Sequence, residues 1–296
     1  ISKNDSYKNI IYLVREVADL PKNAFTPEET IYIAGRLEEK DQDTVVINKL
    51  GQTSVICLLA SNNGANSGTL TEKCRKTGES LLTIFAGHKT ESVCITNTTA
   101  SHEETLAFAE GMALGNYQFL RYRKDQKEKE SALKTIAVSS PGMEEKSITE
   151  LNILCKAVYA CRSLVNEPVA SLNAEKLADE FGHMAQEAGI SIEVFNKQKI
   201  EALKMGGLLA VNRGSLDPPT FSIMEYKAKH PVNQKPIVLV GKGVVYDTGG
   251  ISLKPTASMD TMKCDMSGAA AVASAIYAIA LAKLPVHVVA LVPATD

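Results

Sequence analysis

Ile237-Val-Leu-Val240-Gly-Lys242-Gly-Val-Val-Tyr-Asp247-Thr-Gly-Gly-Ile-Ser-Leu-Lys254-Pro-Thr-Ala-Ser-Met-Asp-Thr-Met262-Lys-Cys-Asp265-Met-Ser-Gly-Ala269 opens with four apolar residues, three of them β-branched. Such a run reads as a buried strand of a parallel sheet. It stops at Gly241-Lys242-Gly243. Ligands of open α/β sheets sit outside the carboxyl ends of the strands, so Lys242 falls where chemistry is placed. Two carboxylates, Asp247 and Asp265, and a second lysine, Lys254, follow within the same segment. Gly241, Gly243, Gly249 and Gly250 permit tight turns and close backbone approach.

Taken singly, each of these charged residues reads as solvated surface. Their context points elsewhere. Lys242 follows directly on an apolar strand. Asp265 stands just before Ser267-Gly-Ala-Ala-Ala-Val-Ala-Ser-Ala-Ile-Tyr-Ala-Ile-Ala-Leu-Ala, an Ala-rich run stopped by Lys283 and Pro285. That run is expected to be a buried helix, with Asp265 favoured at its positive end. Carboxylate oxygens suit hard or borderline divalent cations. A lysine joins them only as the neutral amine, whose proton a nearby dication expels. The other lysine then stays cationic and can polarise a carbonyl. The spacing matches no generic metal or phosphate motif.

At this point the stretch resembles the leucyl aminopeptidase family. Val-Gly-Lys-Gly-Val-Val-Tyr-Asp-Thr-Gly-Gly-Ile-Ser-Leu-Lys-Pro carries the first part of the likeness. Met-Asp-Thr-Met-Lys-Cys-Asp-Met-Ser-Gly-Ala-Ala-Ala-Val carries the second. The lysine, aspartate, lysine and aspartate match the family pattern in type and in steps of five, seven and eleven residues. The resemblance implies a two-metal cytoplasmic aminopeptidase that hydrolyses the N-terminal residue, leucine or similar, from peptides. It implies that Lys242, Asp247 and Asp265 are metal ligands, with Asp247 bridging. It implies that Lys254 is catalytic and that Met262 lines the pocket for the substrate's first side chain. It further implies two divalent metal ions, zinc or manganese, and assembly as a homohexamer. The family completes its site with Asn-Thr-Asp-Ala-Glu-Gly-Arg, which supplies two more carboxylate ligands and an arginine. The sequence ends at Val292-Pro-Ala-Thr-Asp296 without it. The chain is therefore expected to be the N-terminal portion of a longer enzyme, and by itself to bind metal poorly and turn over no peptide. The alternative is a non-catalytic α/β module for binding or assembly.

Outward from the motif, segments of strand and helix alternate along the chain. The expected class is α/β: an N-terminal α/β domain over residues 1–143, then a catalytic domain over 144–296, its largely parallel sheet flanked by helices. A linker helix over 147–165 opens the second domain, with Ser147-Ile-Thr-Glu150 as its capping box. In the first domain, Thr26-Pro-Glu-Glu and Ser101-His-Glu-Glu104 read as helix caps. The second of these helices is expected to reach about Tyr122, and residues 61–68 read as a loop. Residues 208–211 and 286–292 read as strands. The resemblance to the catalytic domain is continuous from about Ala160.

Composition agrees with a globular protein: 296 residues, 45% hydrophobic and 22% charged. A net charge of −2 gives no electrostatic case for nucleic acid or an anionic membrane. No clean apolar run of membrane-spanning length is present. The six cysteines, Cys57, Cys74, Cys94, Cys155, Cys161 and Cys264, are scattered and read as buried free thiols. His88 and His102 are isolated and read as surface or cap residues, while His183, His230 and His287 match no ligand of the family pattern and read as structural.

Overall fold

A computed structural model describes residues 7–40, 42–59, 66–86, 89–97, 99, 101–250 and 253–296. The chain forms two compact units, divided between Leu151 and Asn152.

The first unit is built on β1 (Asn9–Val14), a strand that is buried along almost all its length. Its side chains alternate between two cores, as the two-residue period of a strand requires. Ile11 and Leu13 enter one core, and Ile10, Tyr12 and Val14 enter the other. Helix α1 (Pro27–Leu37) covers the second face through Ile33. Thr26 and Glu29 form its capping box, with Pro27 in the first turn. β2 (Thr44–Lys49) and β3 (Gln52–Leu58) form an antiparallel pair. The other face is covered by α2 (Ser67–Ser80), the short α3 (Leu82–Ala86) and, after β4 (Ser92–Asn97), by α4 (His102–Gly115). Two glycines let α2 and α4 touch backbone to backbone. A Cβ on Gly78 would stand 2.3 Å from the Phe108 carbonyl oxygen, and one on Gly111 would stand 2.0 Å from that of Arg75. The unit continues through α5 (Gln126–Lys129) to β5 (Thr135–Ser139), giving a sheet ordered β2-β3-β1-β4-β5.

The second unit begins within α6 (Glu145–Asn166), a 22-residue helix whose sequence is divided between the two units. Then come α7 (Ala174–Ala188), β6 (Ser191–Phe195), α8 (Lys197–Ala202) and α9 (Gly206–Val211). They lead to β7 (Thr220–Lys227), β8 (Ile237–Val240), β9 (Gly243–Val244), α10 (Thr256–Met259), α11 (Ser267–Leu281) and β10 (His287–Thr295). The sheet runs β6-β7-β10-β8, with β9 also on β10. β8 and β9 lie parallel to β10, while β7 is antiparallel to both β6 and β10. Over both sheets, five of the eight described strand pairings are parallel. Every second residue of β10, Val288, Ala290, Val292 and Ala294, enters a core shared with α7 and α11.

Helix α11 buries Ala269, Ala270, Ala273, Ser274, Ile276, Tyr277 and Ala280. The most apolar 18 residues within Thr256–Leu281 have a mean hydropathy of 1.5. That stretch is nonetheless divided among α10, a 3₁₀ turn and α11. Fifteen helical residues extend about 22 Å, short of a bilayer core of about 30 Å. Its apolar character serves the core.

Four local expectations are corrected. Residues 208–211 are helical, in α9, because a short apolar run carries no period that tells strand from helix. Helix α4 stops at Gly115, where Asn116 bonds back to the last turn and to the Leu133 carbonyl. Helix α6 begins at Glu145, so Ser147 lies within it and is no cap. β8 is parallel but not buried: Ile237, Val238 and Val240 are 49%, 51% and 68% exposed at the edge of the described sheet. Within the expected loop 61–68, residues 61–65 lie outside the described residues, and Ser67 and Gly68 open α2. His88 also lies outside them.

Candidate metal centre and aminopeptidase site

The site begins where β8 ends. Gly241 donates its N–H to the Leu291 carbonyl at 3.0 Å and packs on the start of α11, where a Cβ would stand 2.8 Å from Ala269 Cα. The next carbonyl, that of Lys242, accepts the Ala269 N–H at 2.9 Å. One of the first-turn amides that every helix leaves unpaired is thereby satisfied by the residue whose side chain pairs with Asp265. Strand and helix are locked together at Lys242 by their backbones alone.

Beyond β9 the chain turns at Asp247. Its Oδ1 accepts the Gly249 N–H at 2.8 Å, and Lys254 N–H donates to the Thr248 carbonyl at 3.0 Å. Gly249 has φ +78°, a conformation that L side chains rarely adopt, and a Cβ there would press on Lys254 Cγ at 2.9 Å. Glycine at this position thus brings Lys254 back over Asp247. Lys254 Nζ lies 2.8 Å from Asp247 Oδ2 and donates to Met262 Sδ at 3.2 Å. The second pair joins Lys242 Nζ to Asp265 Oδ2 at 2.9 Å.

The five residues singled out in the sequence therefore meet in two ion pairs and a thioether contact. Asp247 acts on Lys242 through its charge, and Asp265 acts on Asp247, so the pairs form one cluster. The Lys254 ammonium, followed by the Gly249 N–H, holds the Asp247 carboxyl below its usual range. The Asp265 carboxylate raises Lys242 above the usual lysine value. Lys242 is 57% exposed, so water screens this attraction strongly.

Asp265 does not cap α11 as its place in sequence suggested, because Met266 occupies the N-cap and no side chain caps the helix. Its Oδ2 is buried and lacks a well-directed hydrogen bond, although Lys242 Nζ stands at ion-pair distance. A buried carboxylate oxygen held by charge but not by a directed donor suits a cation in that direction. Charge sets the capacity. Asp247 and Asp265 together balance one dication once Lys242 is a neutral amine, and two dications would need further anionic ligands. Among the described residues no three His, Cys, Asp or Glu side chains gather in a metal-holding group. The residues present fit one divalent cation with part of its coordination left open.

One contact was not foreseen. Lys263 points away from the cluster and donates to the Asn166 carbonyl at 2.5 Å. Cys264 is a half-buried free thiol.

The catalytic domain of the cytosol aminopeptidase family matches residues 159–296. Over that segment the chain belongs to the cytosol aminopeptidase family. A "probable cytosol aminopeptidase" of Chlorobium limicola is 41% identical over 229 residues, covering 74% of this chain and 45% of the relative. One from Protochlamydia amoebophila is 34% identical over 277 residues, covering 90% and 55%. The chain thus spans about half the length of these relatives. Among solved structures, the bottromycin maturation enzyme BotP in complex with Mn superposes with a TM-score of 0.77 at 25% identity, covering 97% of this chain and 59% of that one. A tomato leucine aminopeptidase mutant has a TM-score of 0.79 at 21% identity, covering 100% and 61%, and shows the shared fold.

Proposed function

We propose that this chain supplies part of the active site of a metal-dependent aminopeptidase that hydrolyses the N-terminal residue, leucine or similar, from peptides. The observation that carries the reading is the convergence of Lys242, Asp247, Lys254, Met262 and Asp265 in one cluster at the carboxyl end of β8. Family membership supports the reaction class.

Lys242, Asp247 and Asp265 would hold divalent metal, with Asp247 bridging two ions in the complete enzyme. Manganese in the BotP complex supports a first-row dication, zinc or manganese. A metal held there would supply Lewis acidity and lower the pKa of water. The remaining roles fall to this chain's own side chains. Lys254, paired with Asp247 at 2.8 Å, stands ready to polarise the scissile carbonyl and to stabilise the oxyanion that forms there. Met262, held against the Lys254 ammonium, presents a flexible apolar surface to the substrate's first side chain. The two further carboxylates and the arginine of the family pattern are not within residues 1–296. The 296-residue chain is therefore proposed to be inactive alone. A homohexamer in the cytoplasm follows from the family reading, and the relatives carry the name cytosol aminopeptidase.

The test is metal content together with leucine-anilide hydrolysis, before and after addition of Mn²⁺ or Zn²⁺. It is run on residues 1–296 and on a form extended through the second motif. Turnover by the extended form alone supports the reading. If neither form holds metal or cleaves, the cluster is structural and the chain is a binding or assembly module.

A further inference from the structure

We propose that Lys263 is a positioning residue for this site, anchoring the turn that delivers both Met262 and Asp265. The inference rests on the aminopeptidase reading above and adds a residue to it.

Met262–Cys264 is a single 3₁₀ turn between α10 and α11. It is closed by the Cys264 N–H to the Thr261 carbonyl at 3.0 Å and the Asp265 N–H to the Met262 carbonyl at 3.2 Å. Two such bonds, in the poorer geometry of a 3₁₀ turn, hold a short segment weakly. Its side chains extend in three directions. Met262 meets Lys254, and Asp265 meets Lys242. Both of those partners are in the site, and their positions are coupled to the turn they contact. Lys263 alone reaches outside the cluster, to the carbonyl of Asn166, the last residue of α6.

The Asn166 carbonyl lies at the last residue of that helix, at the negative end of its dipole. An ammonium is the favoured partner there. Helix α6 belongs to the scaffold, since Ala157 and Leu164 are buried in the core that also holds α7 and α11. Lys263 therefore ties a weakly held turn to a rigid element. One residue of shift in the turn would carry Met262 and Asp265 away from Lys254 and Lys242 together.

The test uses the form extended through the second motif, as wild type, Lys263→Met and Lys263→Arg. Lys263→Met keeps the length and loses the ammonium, while Lys263→Arg restores a cationic donor. Amide hydrogen exchange is read at Cys264 and Asp265, and Mn²⁺ alone is titrated and followed by its EPR signal. Lys263→Met is expected to speed exchange at both amides by about tenfold or more and to weaken Mn²⁺ binding about tenfold, with little change in thermal midpoint. Lys263→Arg is expected to restore both. Unchanged exchange, or faster exchange with wild-type Mn²⁺ affinity, overturns the proposal. If wild type itself holds no Mn²⁺, the metal reading fails, and the exchange arm still decides whether Lys263 anchors the turn.

Discussion

Lys242 and Asp265 stand 23 positions apart in the chain, yet Lys242 Nζ lies 2.9 Å from Asp265 Oδ2. The closure is made by backbone: the Lys242 carbonyl takes the Ala269 N–H, and Gly241 lets α11 approach β8 without a side chain between them. The Lys242 end of the cluster is thus fixed by the strand-to-helix junction, one condition for a preorganised site.

Under the proposed roles, substitutions at Lys254 and Asp247 separate chemistry from metal binding. In the form extended through the second motif, Lys254→Ala is expected to lower kcat by about a hundredfold to a thousandfold with metal content retained. Asp247→Ala is expected to lose metal, because it removes half of the described carboxylate charge. Elemental analysis beside steady-state kinetics checks both. Unchanged turnover in Lys254→Ala removes its catalytic role, and full metal content in Asp247→Ala removes the bridging role.

Gly111 holds the first unit together by having no side chain. Alanine there gains about 1 kcal/mol of helix propensity. Its Cβ would meet the Arg75 carbonyl oxygen at 2.0 Å, a contact that only backbone movement relieves. The clash wins, and Gly111→Ala is expected to destabilise by about 3 kcal/mol. Urea unfolding followed by circular dichroism measures it. Gly35→Ala is the control, since a Cβ at Gly35 meets nothing within 4 Å.

Burial pushes the Cys57 thiol up to about 12 and the Cys74 thiol up to about 11. Neither forms appreciable thiolate near neutrality, and thiolate is the reactive form. At about pH 8, alkylation mapped by mass spectrometry is expected to leave both unmodified in the native chain and to modify both in guanidinium. Rapid native labelling of Cys57 would contradict its place in the core.

In the second unit, Glu187 accepts from Lys156 and from the Tyr277 hydroxyl. Lys156, followed by Tyr277, holds the Glu187 carboxyl below its ordinary 4.5. A lowered carboxyl stabilises the fold above the unfolded value and loses that contribution as pH falls through the folded one. Burial first, then Glu187, raises Tyr277, so its contribution is present below 10.0 and is lost on alkalinisation. The pair is half exposed, and the effect on the acid side is expected to be under about 1 kcal/mol. Melting midpoints taken from neutral pH downward should fall less in Glu187→Gln than in wild type. Identical slopes would show that the network is electrostatically silent.

Much of the site could be read in the sequence. Lys242, Asp247, Lys254, Met262 and Asp265 lie within 24 residues, and spacing within one loop constrains which side chains can meet. The capping boxes at Thr26 and Ser101 were equally legible, because a cap is chemistry between residues three apart. Ser147 shows where that signal stops: the same pattern sits inside α6, which begins two residues earlier at Glu145.

The sequence by itself determined the α/β class through periodicity, and its resemblance to a known family pointed to the family and to the residues of the candidate site, because that motif lies within one stretch of the chain. Only the tertiary structure decided that Asp265 faces Lys242 and does not cap α11, that Lys263 reaches Asn166, and that β8 lies at an edge. It also decided that 208–211 is helix, a segment whose hydrophobicity fits either form. Each of these depends on partners distant in the chain. Hydrophobicity records that a residue is suited to burial, and it does not record which surface covers it.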